Sequence, residues 1–141
     1  MLFLIKFDNV TKVYADTNTK ALNNFNLEIE TGEFVFIVGS SGAGKSTLLK
    51  LIMREEVPSS GSININGYDL NSMKKREIPY FRRTMGIVFQ DFRLIQTMNV
   101  YDNIAYAMRV IGSRENAIRK RVPYLLGLVG LNSKARSKPN Q

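Results

Sequence analysis

The chain has 141 residues, with 20 Lys and Arg against 12 Asp and Glu and a formal net charge of +8. That length suits one domain, and an apolar content of 44% is enough to bury a core, which excludes wholesale disorder. With no cysteine and no histidine, disulfides, thiolate or imidazole metal sites, cysteine nucleophiles and Ser-His-Asp triads are excluded.

The opening Met1-Leu2-Phe3-Leu4-Ile5 is apolar, but Lys6 and Asp8 end the run long before it could be a signal core or a membrane span. It reads as a strand over residues 2–8. A second strand is predicted over Ala21 to Glu30, where Leu22, Phe25, Leu27 and Ile29 partly alternate with polar residues. After the turn Thr31-Gly32-Glu33, Phe34 to Val38 is apolar on both faces, as expected of a central parallel strand. A Gly- and Ser-rich loop, Gly39 to Gly44, leads into a helix carrying Leu48, Leu49, Leu51, Ile52 and Met53.

Pro58-Ser59-Ser60-Gly61 breaks that helix. Ser62 to Ile65 then alternates into Asn66-Gly67, a strong signal for a two-residue hairpin turn. Lys74 to Arg83 reads as a charged helix interrupted by Pro79, and Met85 to Phe89 as another buried strand. Val100, Ile104, Met108 and Ile111 mark one face of a helix capped by Asn99. Ser113 is the expected cap of a second helix with Ile118, Val122, Leu125 and Val129 inward, its course disturbed by Pro123 and Gly127. A mixed sheet followed by helices places the chain in the α/β class.

Charge is unevenly spread: residues 1–73 carry 6 basic and 8 acidic groups, residues 74–141 carry 14 and 4. A basic half suits nucleic acid or an anionic membrane surface. Without basic motifs interleaved with aromatics, the reading adopted is a solvated basic face, and no nucleic-acid partner is expected. The longest later apolar run, Tyr124 to Leu131, is too short to span a bilayer, so any membrane role is expected to come through a partner.

The chemistry concentrates in Gly39-Ser40-Ser41-Gly42-Ala43-Gly44-Lys45-Ser46-Thr47, which fits G-x-x-x-x-G-K-[ST] at every position. The glycines let successive N–H groups converge on phosphate oxygens, and the helix beginning near Lys45 aims its positive end at them. Lys45 is expected on the β- and γ-phosphates and the Ser46 hydroxyl on Mg²⁺. Tyr14 lies 25 residues upstream, where a ring can stack on adenine or serve as an ordinary packed tyrosine. Gln90 follows Phe89 directly, so its amide can meet Mg²⁺ and the attacking water, or simply finish a strand.

Tyr14, the phosphate loop and Gln90, in that order, resemble the A-loop, Walker A and Q-loop of ABC transporter nucleotide-binding domains. Arg76 to Arg83, Phe89 to Leu94, Val100 to Ile104 and Arg121-Val122-Pro123 are similar to the cell-division ATP-binding branch of that family. The resemblance implies a P-loop NTPase of ABC type: an N-terminal β-subdomain, the Walker A core and the start of the helical subdomain. It also implies ATP and Mg²⁺ as ligands, ATP hydrolysis coupled to envelope signalling, and a bacterial, peripheral place on the cytoplasmic face of the inner membrane. The partners it implies are a membrane subunit of the FtsX kind and, for the full-length ATPase, a homodimer. Residues Gln90 to Tyr106, with Phe92, Leu94, Ile95, Met98 and Tyr101, are the expected docking surface for that subunit.

Alternatives are an ATP-binding subunit of a lipoprotein-release or macrolide-type exporter, a P-loop kinase, or a non-catalytic nucleotide-binding fragment. A GTPase is disfavoured by the lack of an Asn-Lys-x-Asp tetrad. Val88-Phe89-Gln90-Asp91 mimics a Walker B ending, but Gln90 intervenes and Asp91 is read as part of the Q-loop. The Leu-Ser-Gly-Gly signature, Walker B, D-loop and switch histidine do not occur, so residues 1–141 are expected to be one partial domain. Such a chain is expected to bind ATP without efficient hydrolysis, and to leave the apolar faces of residues 34–38 and 85–89 exposed.

Overall fold

A computed structural model describes residues 3–140; Leu2, the expected start of the first strand, lies outside them. The described residues divide into two compact units, one up to Met85 and one from Gly86 onward.

The first unit is built on a four-stranded antiparallel sheet in the order β2-β1-β3-β4. Strand β1 (Phe3–Tyr14) is longer than its apolar run suggests, because it pairs along its whole length with β2 (Thr19–Glu30), from Phe3 opposite Glu30 to Tyr14 opposite Thr19. On its other edge it pairs with β3 (Ser60–Ile65), Ile5 opposite Ile65 and Thr11 opposite Ser60. Asn66 and Gly67 turn β3 back into β4 (Tyr68–Asp69) with φ of 50° and 80°. Two consecutive positive φ values define the hairpin turn whose twist matches the strands, which is why Asn-Gly is read correctly.

Helix α1 (Lys45–Ile52) lies on this sheet. Leu48 and Leu51 are buried among Phe7, Val10, Leu22 and Ile63, while Leu49 points outward. Removing one such leucine from water contributes on the order of 2 kcal/mol, so the two hold the loop before α1 against the sheet. Helix α2 (Ile78–Arg82) is shorter than expected, because Pro79 sits in its first turn and starts the helix rather than interrupting it. Phe81 is fully buried, and Arg82 Nε donates to the Met53 carbonyl at 2.9 Å, tying α2 to the end of α1.

Two expected strands are not strands. Residues 34–38 and 85–89 are irregular, with Phe34, Phe36, Val38 and Val88 more than three-quarters exposed. A parallel strand exists only through its neighbours' hydrogen bonds, and neither segment has a strand partner among the described residues. The exposed apolar faces expected there are present; the central parallel strand and the mixed sheet are corrected to an all-antiparallel sheet.

The second unit pairs α3 (Val100–Val110) with α4 (Glu115–Leu128). Asn99 caps α3 as expected, its side chain accepting from the Asp102 N–H at 2.7 Å. Ser113 does not cap α4: Arg114 holds the N-cap position, and its carbonyl accepts from Ala117 and Ile118. The buried face of α4 is Ile118, Val122 and Leu126 against Ala105, so Leu125 is only half-buried and Val129, past the helix end, is exposed. Pro123 stays inside α4 on its exposed side.

Candidate functional site

The loop from Gly39 to Gly44 is shaped by two glycines that no other residue replaces freely. Gly42 has φ +83° and Gly44 φ +86°, in the left-handed region. At Gly44 there is also no room: a Cβ would stand 2.5 Å from the Ala21 carbonyl oxygen and 3.0 Å from Leu22 Cδ2. The loop therefore passes directly over β2 before turning into α1. Gly44 is the N-cap of that helix, and its carbonyl accepts from the Leu48 N–H at 2.8 Å. No side chain caps this helix start and no acid sits in its first turn, so the helix itself places no counter-charge at the positive end of α1.

Lys45 folds back over the loop, donating to the carbonyls of Gly39 at 2.6 Å and Ser40 at 2.7 Å. Its ammonium is thereby held against the loop backbone at Gly39 and Ser40. Ser46 is exposed in the next position and Thr47 is buried. Tyr14, the last residue of β1, reaches α1: its hydroxyl lies 3.3 Å from Thr47 Oγ1. Between them opens a cleft of about 400 Å³ lined by Tyr14, Ser41, Gly42, Gly44, Lys45, Ser46 and Thr47, with Thr17, Thr19 and Ala21 completing the wall.

Seven of the residues singled out by sequence thus surround one cleft, and Gly39, Ser40 and Ala43 complete the loop that forms its floor; Ala43 N–H donates to Ser40 O at 3.2 Å. Thr17, Thr19 and Ala21 were not anticipated; the signal was the short connection after Tyr14, which forces β2 to start beside the ring. Lys12 was also missed. It is buried, and its Nζ donates to Glu56 Oε2 at 2.7 Å and to the Val57 carbonyl at 2.9 Å.

Gln90 belongs to the second unit, as an exposed turn residue following Phe89. The turn after it is unusual in its backbone. Phe92 and Arg93 have φ of 56° and 44°, and the Arg93 guanidinium lies 3.8 Å from the Phe89 ring centroid. Asn103 fastens the following loop, its Oδ1 accepting from the Ile95 N–H at 2.8 Å and its Nδ2 donating to the carbonyls of Ile95, Met98 and Asn99. This leaves Phe92 and Leu94 exposed and Ile95 and Met98 half-buried.

Over 97% of this chain, the fold matches the ATP-binding cassette MJ0796 in a dimeric post-hydrolysis state bound to ADP and Pi, with TM-score 0.85 and 35% identity, covering 62% of that chain. It also matches cbiO1 from Clostridium perfringens, part of the ABC transporter complex cbiONQ, with TM-score 0.81 and 30% identity, over 96% of this chain and 54% of that one. The fold is therefore that of an α/β P-loop NTPase cassette.

The family model described as ABC transporter matches residues 22–141, and the chain belongs to that family. It is 49% identical to the cell division ATP-binding protein FtsE of Bacillus subtilis and 44% identical to that of Mycobacterium tuberculosis, each over 138 residues and 98% of this chain. The FtsE of Escherichia coli is 43% identical over the same length. The chain spans about 60% of the length of these curated relatives. Family membership implies nucleotide binding. Among the described residues, no helix is long and apolar enough to cross a membrane.

Proposed function

We propose that the chain is the ATP-binding part of an ABC-type subunit acting in bacterial cell division, in the manner of FtsE. The observation that carries this reading is the cleft itself: an uncapped helix N-terminus, a glycine loop and an ammonium converge on one side, and an aromatic ring stands on the other. That layout fits a triphosphate joined to a base and leaves little role for a ligand without both.

In this reading the N–H groups of Ser41 to Thr47 hold the phosphates, and Lys45 exchanges its two carbonyl partners for the β- and γ-phosphate oxygens. The Tyr14 ring takes the adenine. Ser46 suits Mg²⁺, with its exposed hydroxyl in the first turn of α1. Among the described residues no group of three or more acidic side chains could hold a metal alone, so the ion fits as one carried by phosphate oxygens and waters. Bound there, Mg²⁺ supplies charge neutralisation at the phosphates. Gln90 is assigned to the ion and the attacking water, and Phe92, Leu94 and Met98 to docking a membrane subunit of the FtsX kind.

Placement at the cytoplasmic face of the inner membrane, pairing of two full-length subunits, and hydrolysis coupled to envelope signalling belong to the whole protein and follow from the same reading. Calorimetry with Mg·ATP and Mg·GTP on the wild type and Lys45→Ala tests the site. ATP preference, and a loss of at least tenfold in Lys45→Ala with its far-UV spectrum intact, are expected. Unchanged ATP affinity in folded Lys45→Ala refutes the assignment.

A further inference from the structure

Among the described residues two polar side chains are buried, Lys12 and Thr47, and both touch Tyr14. Thr47 meets the ring's hydroxyl from the first turn of α1 at 3.3 Å. The Lys12 ammonium lies over the ring, 5.1 Å from its centroid. Lys12 and Tyr14 are two residues apart on β1, hence on the same face of the strand. The ammonium is fixed in turn by Glu56 at 2.7 Å and the Val57 carbonyl at 2.9 Å, both just beyond the end of α1. The end of β1 is thus fastened to both ends of the helix that carries the phosphate loop.

Burying an ammonium is a poor way to gain stability alone, because the desolvation cost roughly cancels what a buried ion pair returns. An apolar side chain would fill the same space without that cost. Besides tying β1 to the segment after α1, a cation here holds the aromatic ring through its π face and draws density from it. Lys12 does not line the cleft, whereas Tyr14 does, so the ammonium leaves the cleft side of the ring to a ligand. Glu56 cancels the lysine's charge, so the pair adds no net field at the loop.

We propose that Lys12, anchored by Glu56, is a positioning residue for base recognition: it orients and polarises the Tyr14 ring to stack on a purine. The proposal rests on the nucleotide reading above and deepens it. It separates the site into a phosphate half, which Lys12 does not serve, and a base half, which it does.

The test compares ATP with inorganic tripolyphosphate, both as Mg²⁺ complexes, by calorimetry. The wild type comes first: failure to bind either ligand refutes the nucleotide reading itself. The variant Lys12→Met with Glu56→Gln removes both charges together. It is expected to bind ATP about fivefold more weakly and tripolyphosphate unchanged, a loss no larger than the aromatic stacking that the lysine supports. In a Tyr14→Ala background the same pair of substitutions is expected to change nothing further. Lys12→Arg, which keeps the cation, is expected to bind both ligands as the wild type does.

Equal losses for both ligands, no loss for either, or a full ATP loss that persists without the Tyr14 ring each overturn the proposal. If the double variant does not fold, Glu56→Ala at a side chain 30% exposed removes one of the ammonium's two anchors and leaves the Val57 carbonyl as the other. About a threefold loss of ATP affinity relative to tripolyphosphate is then expected, since the uncancelled charge acts on both ligands alike, and an unchanged ratio overturns the proposal in the same way.

Discussion

Gly42 and Gly44 share a backbone conformation and differ in surroundings, so alanine at each separates conformational strain from steric conflict. At Gly42, with φ +83° and nothing within 4 Å of a Cβ, alanine meets only the left-handed penalty, about 1–2 kcal/mol. At Gly44 the same penalty applies at φ +86°, and the methyl would stand 2.5 Å from the Ala21 carbonyl oxygen. Leu22 Cδ2, at 3.0 Å, is a flexible chain end and can move, but the β2 backbone is held by its pairing with β1. Lifting the start of α1 away from β2 strains the Leu22–Leu48 packing, a further 1–3 kcal/mol on the scale of about one overpacked core site. Gly44→Ala is therefore expected to cost about 2 kcal/mol more than Gly42→Ala. For a folding unit of about 60–100 residues that difference is roughly 10 °C in melting midpoint. Thermal unfolding followed by far-UV circular dichroism, with urea unfolding as a second measure, reads it directly. Equal midpoints for the two variants refute the close passage of the loop over β2, and with it the shape of the cleft floor.

Tyr14→Ala is expected to weaken ATP binding by about 1 kcal/mol and Tyr14→Phe by less, since stacking uses the ring face and the hydroxyl's contact with Thr47 is long; equal losses by calorimetry reassign the role to the hydroxyl. The Ser72 hydroxyl and the Asn71 N–H hold the Asp69 carboxyl below its ordinary range. Its folded form binds protons less readily than its unfolded form, so its contribution is present at neutral pH and fades as pH falls through the ordinary carboxylate range. Asp69→Asn should accordingly melt slightly lower than wild type at neutral pH and converge with it only once pH has fallen through the lowered folded-state value, below the ordinary carboxylate range; parallel curves across that descent would show that Asp69 adds no pH dependence.

Local chemistry made much of this molecule legible in its sequence. Asn66-Gly67 specifies its turn within two residues, Asn99 specifies a cap within three, and the phosphate-loop pattern specifies a strand-side loop and a helix start within nine. What failed depended on distant partners. Residues 34–38 are apolar enough for a central strand, yet strand formation needs hydrogen-bonding neighbours, and none stands beside them among the described residues. The length of β1 was understated for the opposite reason: beyond Asp8 its residues are mixed in polarity, but β2 and β3 pair with them. At the site, Tyr14 and the loop were legible because each carries its own chemical logic. Lys12 was not, because a lysine on a strand carries no mark of burial until Glu56 and Val57 are seen beside it.

The segment at residues 34–38 yields a last prediction. Phe34 and Phe36 are 83% and 78% exposed, and their rings pack edge-to-face against each other at 4.9 Å. The segment runs beside β2 around an apolar cavity of about 290 Å³, lined by Leu22, Phe25 and Leu27 on the β2 side. An apolar stretch outside any helix or strand, next to an apolar cavity, is a template for pairing with another chain. The isolated chain is therefore expected to self-associate as its concentration rises. Phe34→Lys with Phe36→Lys should lower that association, because paired lysines along an edge repel an incoming strand. The same change should leave the melting midpoint of the dilute chain within a few degrees of wild type, since two side chains so exposed contribute little to the fold. Sedimentation velocity across a hundredfold concentration range measures the first expectation, and a melt at the lowest concentration the second. Undiminished association would place the sticky surface elsewhere, and a large drop in midpoint would show that the two rings are packed into the folded chain after all.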